Sequence, residues 1–257
     1  MNITKQHIWD KSCNYSTSLI TLNQLQLPML LTDLYANNIN MLHLDFVDGF
    51  FSPEMPLGLR LVEDIIKEYG NNCFYDTHIM SHSPEFLIKS LIDLQVDHIN
   101  FHYENVNHVD GLLNTIKKNN ILAGLALKPA TSIYQLEYVI EKCDSVLIML
   151  FNPGYSWDKT ETQIEYTYRK VYELREMISR KGLSTKIIVD GRVSYDNIKQ
   201  WRNGIVDTFV IGSTCVDKND FVNSLQTLNE LKEYKNNVVN NKNHIVNNKP
   251  LSIKGSD

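Results

Sequence analysis

The chain has 257 residues, with 25 Lys and Arg against 30 Asp and Glu, a net charge of -5 and 43% hydrophobic residues. This composition can form a full core, so it excludes collagen-like, fibrous and wholly disordered proteins, while the length allows one α/β barrel or two small domains. The acidic balance argues against nucleic-acid binding, which needs a basic face to neutralise phosphates.

Short β-type runs alternate with segments of helical periodicity along most of the chain. Residues 1–14 form a predicted N-terminal extension. The predicted strands span Tyr15–Ile20, Met41–Phe46, Cys73–Ile79, His98–His102, Leu122–Leu127, Ser145–Leu150, Lys186–Val189 and Val206–Ile211. The predicted helices span Leu25–Tyr35, Leu59–Tyr69, Pro84–Leu94, Val109–Lys118, Ile133–Lys142, Thr162–Arg180, Tyr195–Trp201 and Asp220–Glu233.

Strict alternation of eight strands with eight helices implies a parallel sheet and is typical of a (β/α)8 TIM barrel. An open doubly wound sheet is the alternative, but it would need a glycine-rich nucleotide turn after its first strand. No such turn follows Ile20. The sequence therefore predicts a single α/β domain, a barrel over residues 15–233.

After Glu233 the composition changes to a segment rich in Asn and Lys, with few apolar residues. Such a segment cannot bury enough apolar surface to fold by itself. We expect residues 234–257 to be a flexible tail, with a docking segment for a partner as the alternative.

The cysteines and the N-terminus bear on the cellular compartment. Four widely separated cysteines contain no Cys-x-x-Cys pair, so we expect reduced thiols rather than a disulfide framework. The first residues lack the apolar core of a signal peptide, and the longest apolar runs are too short to cross a bilayer. These features favour a soluble cytoplasmic protein with no membrane partner.

Histidines and aspartates cluster near the ends of three predicted strands. Alternation along a strand puts His43 and Asp45 on one face of the second, while His78 is near the end of the third and Asp190 ends the seventh. In a barrel these ends meet at the rim where active sites form. Two imidazoles and two carboxylates suit one divalent ion such as Zn, Mn, Fe or Co. The alternative is that these side chains cap helices or bond buried backbone.

An ordered series of motifs covers roughly residues 15–230. It reads Thr17-Ser18, His43-Leu44-Asp45-Phe46-Val47-Asp48-Gly49, Asp76-Thr77-His78-Ile79-Met80, Asn152-Pro153-Gly154-Tyr155-Ser156-Trp157-Asp158, Val189-Asp190-Gly191-Arg192 and Gly212-Ser213. In this order the motifs resemble those of the ribulose-phosphate 3-epimerase family. The series is far more specific than any one motif.

The resemblance implies a metal-dependent epimerase that inverts C3 of a phosphorylated ketose, such as ribulose 5-phosphate or a related sugar of a specialised pathway. His43, Asp45, His78 and Asp190 match the metal ligands of the family. Asp45 and Asp190 also match its acid/base pair, because inversion needs one such group on each face of the carbon. We expect Asp45 to be the base and Asp190 the acid in one direction, with the roles reversed in the other. We also expect a homo-oligomer, since many barrels of this family associate.

The resemblance also implies a set of substrate contacts around the rim. The matching residues are Ser18, His78, Met80, Met149, Gly154, Ser156, Gly191, Arg192, Gly212 and Ser213. Ser18 has the alternative of bonding backbone, and without the resemblance the two methionines would be ordinary core residues.

The departures from the family concentrate where its members hold phosphate on glycine-rich backbone. The family's Gly-Phe-Gly-Gly reads Gly154-Tyr155-Ser156-Trp157 here, and the second Gly of Asp-Gly-Gly is Arg192. We favour the hypothesis that Arg192, with Ser156 and Ser213, binds a phosphate. In one alternative Trp157 excludes the phosphate and the ketose carries another anionic or nucleotide-linked tail. In another, Arg192 points to solvent.

Two further functions compete with epimerisation. Lys128, at the end of the fifth predicted strand, could form a Schiff base as in an aldolase. The protein could also be a catalytically silent sugar-phosphate binder. The two histidines and two aspartates argue against that function, because a binder has no need for two acid/base carboxylates around a metal.

Overall fold

The computed structural model describes residues 3–155, 158 and 160–233. Its strands are β1 (Asn14–Ser18), β2 (Met41–Val47), β3 (Phe74–Met80), β4 (His98–His102), β5 (Leu122–Leu127), β6 (Ser145–Met149), β7 (Lys186–Asp190) and β8 (Thr208–Ile211). Each strand pairs in parallel with the next, and β1 pairs with β8 to close the barrel, with Tyr15 beside Phe209. The predicted TIM barrel is confirmed.

The described residues also form eight α-helices. They are α1 (Ile3–Asp10), α2 (Leu27–Ala36), α3 (Leu59–Tyr69), α4 (Glu85–Asp93), α5 (Val109–Lys118), α6 (Tyr166–Arg180), α7 (Tyr195–Trp201) and α8 (Phe221–Glu233). Helix α1 precedes the barrel, and the other seven each follow a strand. None of the helices in these ranges is long and apolar enough to cross a bilayer.

The predicted helix over 133–142 is wrong. Two 3-10 turns, Ile133–Leu136 and Ile140–Lys142, connect β5 to β6. The segment is rich in β-branched and aromatic residues, which lose side-chain freedom in a helix and lower its propensity. Its apolar residues Ile133, Leu136 and Ile140 are nevertheless buried. The helical spacing of these residues therefore indicated a buried face and not a helix.

The barrel interior is polar on one side and apolar on the other. Side chains of successive strand residues alternate between the interior and the helices. On β2, β3 and β4 the inward positions are mainly His, Asp and Asn, whereas a separate apolar cluster fills the side of β5 to β8 with Ala126, Leu147, Met149, Ile188 and Val210. The polar half can therefore carry ligand atoms, while the apolar half limits access of water.

Helix α1 packs against the N-terminal ends of the strands. Trp9 stacks on Phe74 with ring centroids 5.6 Å apart, and Lys5 Nζ lies 2.8 Å from Asp97 Oδ2. Both residues of this ion pair are largely buried. Because α1 covers one end of the barrel, access from solvent is through the opposite end. The predicted tail over 234–257 lies outside the described residues.

Candidate metal and substrate site

Four side chains converge at the C-terminal ends of β2, β3 and β7. His78 Nδ1 lies 3.4 Å from both Asp45 Oδ1 and Asp190 Oδ2. His43 Nε2 lies 3.2 Å from Asp45 Oδ1 and 3.8 Å from Asp190 Oδ2. One ligand atom from each of the four residues lies within 4.8 Å of the others. The predicted set is therefore brought together around one point.

The donor atoms of this cluster fit a divalent ion. His43 Nε2 and His78 Nδ1 are buried and face the two carboxylates, but neither makes a hydrogen bond of good geometry with any of the described residues. A buried ring nitrogen without a partner is costly, and an ion that accepts both lone pairs would remove that cost. Two imidazoles and two carboxylates are donors that Zn, Mn, Fe and Co all accept.

Asp76 supports the first of the two imidazoles. Its Oδ2 accepts from His43 Nδ1 at 2.7 Å and from Ser16 Oγ at 2.9 Å, and its Oδ1 accepts from His98 Nδ1 at 2.9 Å and Asn100 Nδ2 at 3.2 Å. Burial alone would raise the pKa of Asp76, but His43 and His98 outweigh it and lower that pKa. The carboxylate therefore stays ionised and leaves His43 Nε2 directed at the cluster.

A second chain of polar groups lies behind His78. His78 Nε2 is 3.0 Å from His102 Nε2, and His102 Nδ1 is 3.1 Å from Glu104 Oε2. Burial, with a contribution from neighbouring His78, lowers the pKa of His102 to about 4. The pKa of Glu104 falls to about 2, because its hydrogen bonds outweigh the effect of burial. Sequence reasoning assigned these residues no role, although polar side chains at alternate positions of β4 were a usable signal.

The two aspartates of the cluster differ in their exposure to solvent. Asp45 is 3% exposed and accepts a hydrogen bond from Ser18 Oγ at 2.9 Å. Burial would raise the pKa of Asp45, but His43 and His78 outweigh it and lower that pKa. The Asp190 side chain is 16% exposed. Both carboxylates line an open cleft, so both are accessible to a bound molecule.

The cleft has a volume of about 520 Å³. Of the predicted substrate contacts, those that line it are Ser18, Met80, Met149, Gly154, Gly191, Arg192, Gly212 and Ser213. His78 is fully buried behind the cleft, and Ser156 and Trp157 lie outside the described residues. Sequence reasoning did not assign Thr21, Phe151, Thr214 and Lys218, which also line the cleft. Lys218 lies on the loop between β8 and α8, where no motif singled it out.

Arg192 occupies a backbone position that favours glycine. Its φ is +51°, and the φ of the preceding Gly191 is +112°. The guanidinium carbon lies 5.5 Å from the ring centroid of Phe151, and an Nη donates to the carbonyl of Asp158 at 2.5 Å. The side chain therefore lies along one wall of the cleft, and the backbone of Arg192 adopts the left-handed conformation although the residue has a Cβ.

Lys128 lies beside the loop after β2. Its Nζ is 4.3 Å from the ring centroid of Phe51, whose ring in turn packs against His102 at 4.9 Å. Within the described part of the chain, the residues that line the cleft do not include Lys128. This geometry gives the Schiff-base hypothesis no support.

Comparisons with known proteins give matches over most of the chain. Residues 14–216 match the model of the Ribulose-phosphate 3 epimerase family. The ribulose-phosphate 3-epimerase of Buchnera aphidicola subsp. Schizaphis graminum is 32% identical over 180 residues, which cover 70% of this chain and 77% of that protein. The ribulose-phosphate 3-epimerase of Escherichia coli (strain K12) is 31% identical over 186 residues, covering 72% and 81%.

A solved structure is similar in fold at much lower identity. The crystal structure of KGPDC from Streptococcus mutans superposes with a TM-score of 0.63 at 12% identity, and the match covers 85% of this chain and 96% of that chain. At this identity the likeness supports the barrel fold alone.

Proposed function

The chain belongs to the ribulose-phosphate 3-epimerase family, a family of carbohydrate epimerases, and from this premise we propose that it inverts C3 of a phosphorylated ketose with one divalent metal ion. The pair ribulose 5-phosphate and xylulose 5-phosphate is the first candidate substrate. The observation that carries the proposal is the convergence of His43, Asp45, His78 and Asp190 within 4.8 Å, with the two aspartates lining the cleft and the two histidines buried behind it.

Two aspartates would carry out the proton transfer. Asp45 extends from β2 and Asp190 from β7, and β1 and β8 lie between these strands. A ketose bound between the carboxylates would have one of them on each face of C3, which inversion requires. Asp45 takes the proton in one direction and Asp190 returns one to the opposite face, and the reverse reaction exchanges their roles.

His43, Asp45, His78 and Asp190 would hold the metal ion. The bound ion would supply Lewis-acid stabilisation of the negative charge that develops on the substrate oxygens. Buried Met80 and Met149, with Val210, give the inner wall of the cleft an apolar surface. That wall excludes water, which otherwise competes for the developing charge.

An anionic end of the substrate would lie near Arg192, Ser213 and Lys218, all of which line the cleft. The protein as a whole carries a charge of -5, so attraction of an anion has to be local. A guanidinium and an ammonium among the residues that line the cleft supply that attraction, and Arg192 can bond two phosphate oxygens at once.

Hydrogen exchange tests the reaction directly. The metal-loaded protein is incubated with a panel of ketose phosphates in deuterated water, and deuterium at C3 is measured by NMR. We expect exchange and epimerisation with at least one ketose phosphate, and epimerisation of it slowed by about 10²-fold or more in Asp190→Asn under the same conditions. Exchange with a ketose that carries a different anionic tail would identify a different substrate for the same chemistry. No exchange with any phosphorylated ketose, in protein shown to contain its metal, would overturn the proposal.

A further inference from the structure

We propose that Glu104 determines where the protons lie on two successive imidazoles, His102 and His78, so that the Nδ1 of His78 faces the metal position without a proton. Glu104 is then a positioning residue that acts through His102. The inference rests on the metal site of the proposed function and deepens it.

His78, His102 and Glu104 form one continuous chain of hydrogen-bonded side chains. His78 Nε2 and His102 Nε2 are 3.0 Å apart, and His102 Nδ1 is 3.1 Å from Glu104 Oε2. His78 and His102 are 0% and 1% exposed, so water does not replace either partner. The His102 ring also contacts the rings of His78 and Phe51, with centroids 5.1 Å and 4.9 Å away and interplanar angles of 35° and 44°. These contacts restrict rotation of the His102 ring.

When a metal is bound, the hydrogen bonds from His78 through His102 to Glu104 have only one consistent donor-to-acceptor direction. A ring nitrogen that coordinates a metal carries no proton, so the proton of His78 lies on Nε2. That nitrogen donates to His102 Nε2, which must then be an acceptor. The proton of His102 therefore lies on Nδ1, where it is donated to Glu104. An ionised carboxylate accepts and cannot donate, so it selects this direction.

The orientation of the Glu104 carboxylate is itself determined by the loop after β5. Its Oε1 accepts from the backbone N–H of Lys128 at 2.7 Å and from the hydroxyl of Thr131. A backbone N–H can only donate, so this position requires an acceptor atom. Oε1 therefore accepts from the loop, and Oε2 is the oxygen that faces His102.

Replacing Glu104 by Gln would reverse the donor-to-acceptor direction of these hydrogen bonds. The Gln carbonyl must take the Oε1 position to accept from Lys128 N–H, which turns the amide NH₂ towards His102 Nδ1. Two donors cannot face each other, so His102 moves its proton to Nε2 and donates to His78. His78 then carries its proton on Nδ1, directed at the metal position. Replacement by Ala instead leaves a gap and imposes no direction.

The ordering of the variants separates this role from simple packing. Gln preserves the volume of Glu, so a residue that matters only for packing tolerates Gln better than Ala. A residue that sets proton positions shows the opposite order. We therefore expect Glu104→Gln to weaken metal binding about 10- to 100-fold, the range for lost outer-shell partners, and Glu104→Ala to weaken it less.

The experiment measures the Kd of Zn²⁺ and Co²⁺ by competition with a chelator. It compares the wild type, Glu104→Gln, Glu104→Ala and the control Glu137→Gln, whose carboxylate contacts surface Lys181 and Arg180. The control should bind as the wild type does. Long-range ¹⁵N–¹H correlation spectra of the imidazoles should show the proton of His102 on Nδ1 in the wild type and on Nε2 in Glu104→Gln. These spectra decide the question even if Glu104→Ala does not fold.

An equal or smaller loss of affinity in Glu104→Gln than in Glu104→Ala would overturn the inference, as would an unchanged position of the His102 proton. Failure of the wild type to bind any divalent ion would instead overturn the proposed function, and it would be evident before any variant is compared.

Discussion

The Nδ1 of His43 lies 2.7 Å from Oδ2 of Asp76, and both side chains are completely buried. Asp76 is at the same time the acceptor for Ser16, His98 and Asn100. One carboxylate thus satisfies four donors inside the barrel. Removing its charge would leave at least one of them facing another donor, where water cannot compensate.

We expect Asp76→Asn to lower the free energy of unfolding by about 3 kcal/mol or more, the scale found when one partner of a buried charged group is lost. Urea unfolding of the metal-free protein measures this without a contribution from metal affinity. The control Asp110→Asn, on an exposed residue paired with Lys142, should change stability by less than about 1 kcal/mol. Equal effects of the two substitutions would contradict the role given to Asp76.

Asp45→Asn and Asp190→Asn should each reduce epimerisation by about 10²- to 10⁴-fold or more, because an amide cannot exchange a proton with C3. The remaining aspartate can still exchange the C3 proton of one epimer, so slow deuterium incorporation should persist with only one of the two substrates. That substrate should differ between the variants. Asp196→Asn, on a side chain 92% exposed, is the control. Turnover near the wild-type rate in either variant would exclude that carboxylate from proton transfer.

The barrel and the four-residue cluster were predictable from local patterns. His43 and Asp45 are two residues apart on a strand, so a common face follows from alternation, and the rim of a barrel brings strand ends together. Helix α1 was not predictable, because Trp9 and Lys5 are stabilised by Phe74 and Asp97, which are distant in the chain.

The hydrogen bonds from His78 through His102 to Glu104, which lie behind the metal cluster, were also not predictable from the sequence. His102 and Glu104 are two residues apart at the end of β4, but nothing in this spacing shows that one imidazole supports another. Their role depends on the register between β3 and β4, which pairs His78 with Asn100. That register places His102 beside His78.

Removal of the metal should lower both activity and thermal stability. An ion that binds only the folded chain stabilises it by about 2.7 kcal/mol at a concentration 100 times its Kd. Calorimetry of the chelated protein should therefore show a rise in Tm when Zn²⁺, Mn²⁺, Fe²⁺ or Co²⁺ is added. His43→Gln should abolish the rise, whereas His82→Gln, on an exposed residue, should keep it. A rise that survives His43→Gln would place the ion elsewhere.

Arg192→Gly should raise the KM for a phosphorylated ketose by about tenfold, since a charged hydrogen bond contributes about 1.5–3 kcal/mol. The same substitution should not lower the free energy of unfolding, although it weakens substrate binding. Arg192 has φ +51°, a conformation that costs a residue with a Cβ about 1–2 kcal/mol, and Gly relieves it at some cost in chain entropy. We expect stability to stay equal or rise by up to about 1 kcal/mol. An unchanged KM would mean that Arg192 only covers Phe151.

Lys218→Met tests the charge of a second cation that lines the cleft, without a change of backbone geometry. Lys218 is exposed and lines the cleft, and Met keeps a similar length without the charge. We expect a rise in KM for the phosphorylated ketose, little change for the same ketose without phosphate, and a weaker salt dependence of kcat/KM, because the lost attraction is electrostatic. The control Lys199→Met removes a charge from α7, where Lys199 pairs with Asp196, and should leave all three quantities unchanged. If both ketoses lose affinity equally, Lys218 contacts the sugar rather than its anionic end.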